Sequence, residues 1–422
     1  MNIDIRPSIK NLLPSATLLI NERSQALETA GKTVYRLGFG QSPFPIPDKV
    51  VEALQKNAFQ KDYLPVKGLP ALREAVANYN RSVININCTF ENVMIGPGSK
   101  ELMYSLQMVS DAHLILPCPS WVSYGPQASI VQNRVVWVQT AYKNKWQLAP
   151  GELEKAIISH QDKPLILLLN YPSNPVGATY SKDDLQELAA VARKYGIAII
   201  SDEIYGELTF NRQHASMAEF YPEGTIVSSG LSKWCGAGGW RLGTFTFPDK
   251  YLYLLEALAV VASESFSSVS APIQHAAVVA YQFDEDIKDY IRRCNMILKS
   301  VATYVYDNLQ LIGVKVVPPE GGFYLFPDFS NYKDRLISKG ITTSVEFCEV
   351  LLAETGIALL PGEAFGRPSI EFTARLSYVD FDGQTALKNY DGSYSPDAEF
   401  IEQYCSRILA ATDVLTDWIK KL

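Results

Sequence analysis

The run Ser229-Gly230-Leu231-Ser232-Lys233, followed closely by Gly239-Trp240-Arg241-Leu242-Gly243, sets an amine eight positions before a guanidinium on a strand-turn-strand stretch. A lysine amine condenses with an aldehyde to a Schiff base, and an arginine offers a forked, permanently charged donor set to phosphate. The pairing suits one bound molecule that carries both an aldehyde and a phosphate.

Outward from this run, short β-branched and aliphatic segments alternate with segments of helical period. Residues 93–95, 114–116, 135–138, 165–169, 197–200, 226–229 and 243–247 read as strands. Between them 48–58, 70–80, 99–110, 150–160 and 181–195 read as helices, the last with Ser181 as N-cap and Asp183 and Asp184 in its first turn. Such alternation predicts an α/β fold with a mostly parallel central sheet covered by helices. After a long helical stretch at about 284–312 the texture changes. Strands at 314–317, 322–326, 357–360 and 374–378, with helices at 344–355 and 397–420, predict a smaller α+β domain. Residues 380–396, rich in Asp, Gly, Tyr and Ser, read as a loop before the last helix and, standing just after Arg375, as a candidate lid.

The 422 residues are 47% hydrophobic and 20% charged, an ordinary globular composition with length enough for two cores. A net charge of −7 without any Lys/Arg block speaks against nucleic acid as a partner. Six scattered cysteines with no C-x-x-C pair, and a start that lacks an apolar signal core, point to a reducing, cytoplasmic compartment. Apolar runs such as 165–169 and 257–262 are far too short to cross a membrane. The four histidines are dispersed, so no metal site is expected, and His113 and His275 read as packing residues.

Several further segments carry chemistry. Asp202, in Ser201-Asp202-Glu203-Ile204-Tyr205, ends an apolar strand, where ligand-facing residues of open α/β sheets sit; the alternative is a helix N-cap. Gly96-Pro97-Gly98-Ser99-Lys100 lies between a strand and a helix, whose first backbone N–H groups attract phosphate. Gly98, Ser99 and Lys100, the last through its main chain, are therefore phosphate candidates, with Arg241 and a hydroxyl from Ser229 or Ser232. Asn174 stands in Asn170-Tyr171-Pro172-Ser173-Asn174-Pro175-Val176-Gly177, where two prolines fix a turn directly after the strongest strand. Arg375, in Ala374-Arg375-Leu376-Ser377-Tyr378, would grip a carboxylate through two parallel hydrogen bonds.

Taken together, these motifs resemble the class I/II pyridoxal-phosphate-dependent aminotransferases of fold type I, over about residues 37–378. The Asn170–Gly177 run resembles the family's N-x-P-x-N-P-x-G element, with Val176 where threonine is more usual. The resemblance implies a large cofactor-binding domain at 45–290 and a small one formed by 1–44 with 291–422. It implies pyridoxal 5'-phosphate joined to Lys233, with Asp202 on the pyridine nitrogen and Tyr205 and Asn174 near the phenolic oxygen. Trp121, in Pro119-Ser120-Trp121-Val122-Ser123-Tyr124, matches the aromatic that stacks on the ring. Tyr63, in Tyr63-Leu64-Pro65-Val66-Lys67-Gly68, resembles the tyrosine that reaches the neighbouring subunit's phosphate, which implies a homodimer. Gly40 would lend a backbone group beside Arg375 to the substrate. Two departures stand out: Gly230 where many relatives have serine, and Gln41-Ser42-Pro43 in place of the usual acidic-proline sequence.

The expected reaction moves an amino group from an L-amino acid to a 2-oxo acid by a ping-pong scheme, with Lys233 as the proton-moving base. A β-lyase acting on a sulfur amino acid is the alternative on the same scaffold, and a non-catalytic cofactor-binding sensor a more distant one.

Overall fold

A computed structural model describes residues 3–10, 12, 14–210 and 214–422. Its main sheet contains β1 (Val93–Gly96), β2 (His113–Cys118), β3 (Val135–Gln139), β4 (Leu165–Asn170), β5 (Ala198–Asp202), β6 (Thr225–Gly230) and β7 (Gly243–Thr246), in the order β1-β7-β6-β5-β4-β2-β3. β3, β2, β4, β5 and β6 run parallel, while β7 is antiparallel to both β6 and β1. In β4 the two faces feed different cores. Leu167 and Leu169 pack with Leu185 and Leu188 of the helix Lys182–Tyr195; Ile166 and Leu168 pack with Leu102 and Leu106 of the helix Ser99–Val109. A strand covered on both sides has no polar face to alternate with, which is why its sequence is an unbroken apolar run.

Register brings the chemistry to one edge. Asn170 lies opposite Asp202, Asp202 opposite Ser228, and Gly243 opposite both Gly230 and Gly96. The carboxyl ends of β1, β4, β5 and β6 and the start of β7 therefore share one rim, the usual ligand side of an open α/β sheet. The helix Lys182–Tyr195 starts as its sequence predicts, with the Ser181 hydroxyl accepting from the Asp184 N–H at 3.1 Å in a reciprocal capping box.

A second, antiparallel sheet holds β8 (Tyr324–Leu325), β9 (Leu360–Pro361) and β10 (Ala374–Ser377), with β10 central. Here several expectations are corrected. Residues 314–317 are not a strand: Lys315 makes one bridge to Asp328, and Pro318 and Pro319 supply no N–H to continue it. The 322–326 run pairs only at Tyr324 and Leu325, and in 357–360 Ile357 bridges Tyr35 before β9 begins at Leu360. The helix expected over 397–420 breaks at Cys405 into Ala398–Tyr404 and Ser406–Lys420. Residues 380–396 contain a helix, Gly383–Lys388, capped by Asp382. Arg293 donates to the Leu387 carbonyl (2.6 Å) and Arg292 to the Gly392 carbonyl (2.8 Å), so the segment is tied to the long helix Glu285–Leu311 rather than poised as a lid. The helices Ala16–Thr29, Leu252–Ser263 and Ala271–Tyr281 were not expected. The last two are too uniformly apolar to show a helical stripe. Among the described residues no helix is long and apolar enough to cross a membrane.

Candidate active site

The rim opens into a cavity of about 630 Å³ lined by Gly40, Ser99, Lys100, Trp121, Asn174, Asp202, Tyr205, Ser232, Lys233, Arg241 and Arg375. A larger cavity, about 1180 Å³, between the helix Glu285–Leu311 and the turn at Glu207 holds none of these groups.

Lys233 follows β6 and its Nζ donates to the Gly40 carbonyl at 2.8 Å. The amine lies 5.3 Å from the centre of the Tyr205 ring and 5.8 Å from that of Phe323. Burial holds it below the ordinary lysine value; Arg375 and Arg241 push the same way, against Tyr324 and Asp202. Asp202, at the end of β5, is 4% exposed. The Tyr124 hydroxyl donates to its Oδ2 at 2.6 Å and the Ser228 hydroxyl to its Oδ1 at 3.2 Å. Burial nevertheless pushes this carboxyl up to about 6. It faces the cavity from a strand end and is not a helix N-cap.

Gly98, just before the helix Ser99–Val109, has φ +90°, a conformation that favours glycine, and a Cβ there would fall 2.2 Å from Arg241 Nη2. Gly243 is packed as tightly, its would-be Cβ 2.2 Å from the Ser99 nitrogen. These glycines let the start of the helix Ser99–Val109 and the guanidinium converge. Arg241, itself at φ +55°, donates to the Gly238 carbonyl at 2.8 Å. Ser232, not Ser229, lines the cavity.

Arg375, 2% exposed, donates through Nη1 to Asn174 Oδ1 (3.0 Å) and through Nη2 to the Gly38 carbonyl (2.6 Å), while its buried Nε has no partner. Its guanidinium lies 4.5 Å from the Tyr324 ring centre and 5.3 Å from that of Phe365. Asn174 is itself fixed by Asn170, whose Oδ1 accepts its N–H at 2.7 Å. The Tyr205 and Tyr324 hydroxyls share a hydrogen bond of 2.9 Å. Trp121 crosses Tyr124 edge-on at 5.0 Å, and Lys100 Nζ stands 5.0 Å over its ring.

One expectation changes. Lys100 was expected to act only through its main chain, but its ammonium also enters the cavity; the cavity direction of a long side chain at a helix start does not follow from sequence. Tyr63 is 91% exposed in the single chain and lies outside the cavity lining. Tyr124, Ser228, Asn170 and Tyr324 escaped the sequence reading. Asn170 and Tyr124 lay inside quoted motifs, whereas Tyr324 was hidden in an apolar run.

The charges decide what the cavity accepts. It is lined by four cationic residues, Lys100, Lys233, Arg241 and Arg375, against the one carboxylate of Asp202. Such a site favours an occupant with a phosphate at the helix start, a carboxylate at Arg375 and a positive nitrogen at Asp202. Pyridoxal 5'-phosphate with an amino-acid substrate fits this donor set.

The comparisons agree. Residues 32–380 match the family described as aminotransferase class I and II, and the chain belongs to it. It is 33% identical over 381 residues to an aspartate aminotransferase of Geobacillus stearothermophilus, covering 88% of this chain and 93% of that one. It is 32% identical over 376 residues to an asparagine–oxo-acid transaminase of Streptococcus mutans, covering 86% and 92%. Among solved structures, the aspartate aminotransferase of Thermus thermophilus with maleate superposes with a TM-score of 0.85 at 26% identity, over 99% of this chain and 100% of that one. The fold is fold type I, and the protein is a pyridoxal-phosphate-dependent transaminase; the lyase alternative is not favoured.

Proposed function

We propose that the amino donor is an acidic L-amino acid or its amide, and that the residues gathered around Lys233 divide the work as follows. Bound pyridoxal phosphate supplies an electron sink that acidifies the substrate's Cα–H. Lys233 anchors the cofactor and, once free, with its pKa lowered by burial, moves the proton at Cα. Asp202 faces the pyridine nitrogen, supported by Tyr124 and Ser228. Gly98, Ser99, Lys100, Ser232 and Arg241 hold the phosphate, Trp121 covers the ring, and Tyr205 with Asn174 meets the phenolic oxygen. Arg375, steered by Asn174 and Gly38, takes the α-carboxylate beside Gly40.

The observation that carries the donor class is the Lys100 ammonium. It enters the cavity over Trp121, and among the described residues no acid pairs with it. Burial lowers its pKa first, and the neighbouring Arg241 and Lys233 lower it further, so an added anion there relieves repulsion. Ser15 and Thr17, at the start of the helix Ala16–Thr29, line the same mouth and offer hydroxyls to a polar side chain. The names of the aspartate and asparagine transaminases that resemble this chain support the same class.

The same reading places the active unit as a cytoplasmic homodimer in which Tyr63 crosses to the partner's phosphate, consistent with so large an aromatic lying open on the single chain. It divides the chain into the 45–290 lobe and a lobe of 1–44 with 291–422. The test is Lys100→Met. With aspartate as donor kcat/KM should fall by about 10- to 100-fold, the worth of one charge-assisted bond, and with an aliphatic donor by only about 2- to 3-fold. An equal fall for both donors overturns the acidic-donor reading.

A further inference from the structure

Tyr324 has no role in the scheme above, yet it lies against Tyr205, Arg375 and Gly40. It sits on β8, fully buried, with its hydroxyl 2.9 Å from that of Tyr205 and its ring 4.5 Å from the Arg375 guanidinium. Room for it exists only because residue 40 is glycine: a Cβ at Gly40 would lie 1.9 Å from the Tyr324 oxygen. The same Gly40 offers its carbonyl to Lys233. A phenol in such a place, where phenylalanine would pack as well, calls for a reason that involves its oxygen.

We propose that Tyr324 is a positioning residue whose hydroxyl donates to the Tyr205 oxygen, so that the Tyr205 proton is the one aimed into the cofactor site. This rests on the assignment of Tyr205 to the cofactor's phenolic oxygen.

A hydroxyl in a chain donates better when its own oxygen accepts, because each bond polarises the next. Two phenols facing each other could share their protons in either sense, and an unbiased pair would leave Tyr205 pointing at its neighbour for part of the time. The charges around the pair supply the bias. Burial raises both phenols, and Tyr205 is raised further by Tyr324 and, more weakly, by Asp202, against the pull of Arg375. At Tyr324 burial alone would raise the phenol, but the cations Lys233 and Arg375, together with the hydrogen bond shared with Tyr205, bring it below the ordinary tyrosine value. Tyr378 is the other titratable group that faces it, itself raised by burial. The more acidic phenol is the better donor, so the shared bond runs from Tyr324 to Tyr205. Arg375 thus acts twice: it grips a carboxylate, and through its stack on Tyr324 it orients a proton on the far side of the ring.

The experiment compares the holoenzyme with Tyr324→Phe, Tyr205→Phe and the double variant, reading the pH at which the bound cofactor's visible absorption band titrates. A hydrogen bond to the phenolate oxygen stabilises the deprotonated form and keeps that pH low. Tyr205→Phe should raise it by about one pH unit or more, and Tyr324→Phe by about half a unit, a weakened bond rather than a lost one. The double variant should titrate with Tyr205→Phe, because Tyr324 acts only through Tyr205. Phenylalanine keeps the ring under Arg375, so KM for the donor should stay within about 2-fold. If Tyr205→Phe leaves the band unmoved, the cofactor role of Tyr205 fails, and the relay with it. If Tyr205→Phe shifts the band but Tyr324→Phe does not, or the two shifts add, Tyr324 does not act through Tyr205 and the proposal is overturned.

Discussion

Replacing Asp202 by asparagine should stabilise the cofactor-free protein while crippling the enzyme. Folded Asp202 is pushed from 3.8 up to about 6, chiefly by burial. Between these values the folded chain holds a proton that the unfolded chain has lost, so stability falls as pH rises through the window and stays lower above it. About two pH units at about 1.4 kcal/mol each put the cost of the ionised side chain at roughly 3 kcal/mol near neutral pH. Asparagine carries no such cost. It keeps the carbonyl for one of the two hydroxyl donors, Tyr124 or Ser228, and must turn its amide toward the other, which offsets about 1 kcal/mol. Cofactor-free Asp202→Asn should therefore exceed the wild type by about 1–3 kcal/mol at pH 7.5 and lose that advantage by about pH 4. Urea unfolding at both pH values, at one protein concentration, reads the difference. In the loaded enzyme the sign reverses, because the ring nitrogen loses its anion, and turnover should drop on the order of 100-fold or more. A stability difference that is the same at both pH values, or a wild type more stable at pH 7.5, would refute the reasoning.

Gly98→Ala places a Cβ 2.2 Å from Arg241 Nη2 at φ +90°, so the guanidinium must move and the backbone is strained; cofactor affinity, measured by absorbance titration, should weaken by about 10- to 100-fold, and the melting temperature should fall. Arg375→Lys keeps the charge but cannot donate to Asn174 and Gly38 together while forking to a carboxylate. Steady-state kinetics should show kcat/KM down by at least about 100-fold, with the bound cofactor's spectrum little changed. Tyr63→Ala and Lys233→Ala should each be nearly inactive alone. Mixed and refolded together they should recover up to about a quarter of wild-type activity, since half the dimers would carry one intact site; no recovery would place Tyr63 within its own subunit's site.

Much of this site was legible in the chain because its groups sit where strands end. β5 reads as an apolar run that ends in Ser201-Asp202, so the Asp202 carboxylate could only emerge at the rim. Gly98 and Arg241 were legible for a similar reason, each standing at a junction between regular elements. Tyr324 was not, because an aromatic inside Gly322-Phe323-Tyr324-Leu325-Phe326 has the pattern of core. What makes it part of the site is the missing side chain of Gly40, far away in sequence. The strand lengths of the second sheet were overestimated on the same principle. Val314, Val316 and Val317 are buried, as their hydrophobicity requires, but burial needs no ladder partner, and the chain around Pro318 and Pro319 offers none.

The electrostatics of the cavity tie these parts into one device. Lys233, Lys100 and Arg375 are all lowered, each first by burial and, at the two lysines, next by or together with the other cations. A single carboxylate cannot balance them, and Asp202 is itself pushed toward its neutral form. The groups lining the pocket thus carry charges that repel one another, an arrangement that weakens the folded chain. An anionic phosphate at Arg241 and carboxylates at Arg375 and Lys100 would relieve that repulsion, and a ring cation would favour the ionised form of Asp202. Relief at one position is felt at the others because the groups share one low-dielectric space. Filling the α-carboxylate site should therefore raise the basicity of the Lys233 amine, once it is released, at the moment when it must take a proton from Cα. An acid such as maleate, bound at Arg375 without an amine to react, isolates this effect: it should move the pH at which the cofactor's absorption band titrates upward, and a band insensitive to the diacid would show that Arg375 and Lys233 are electrically independent.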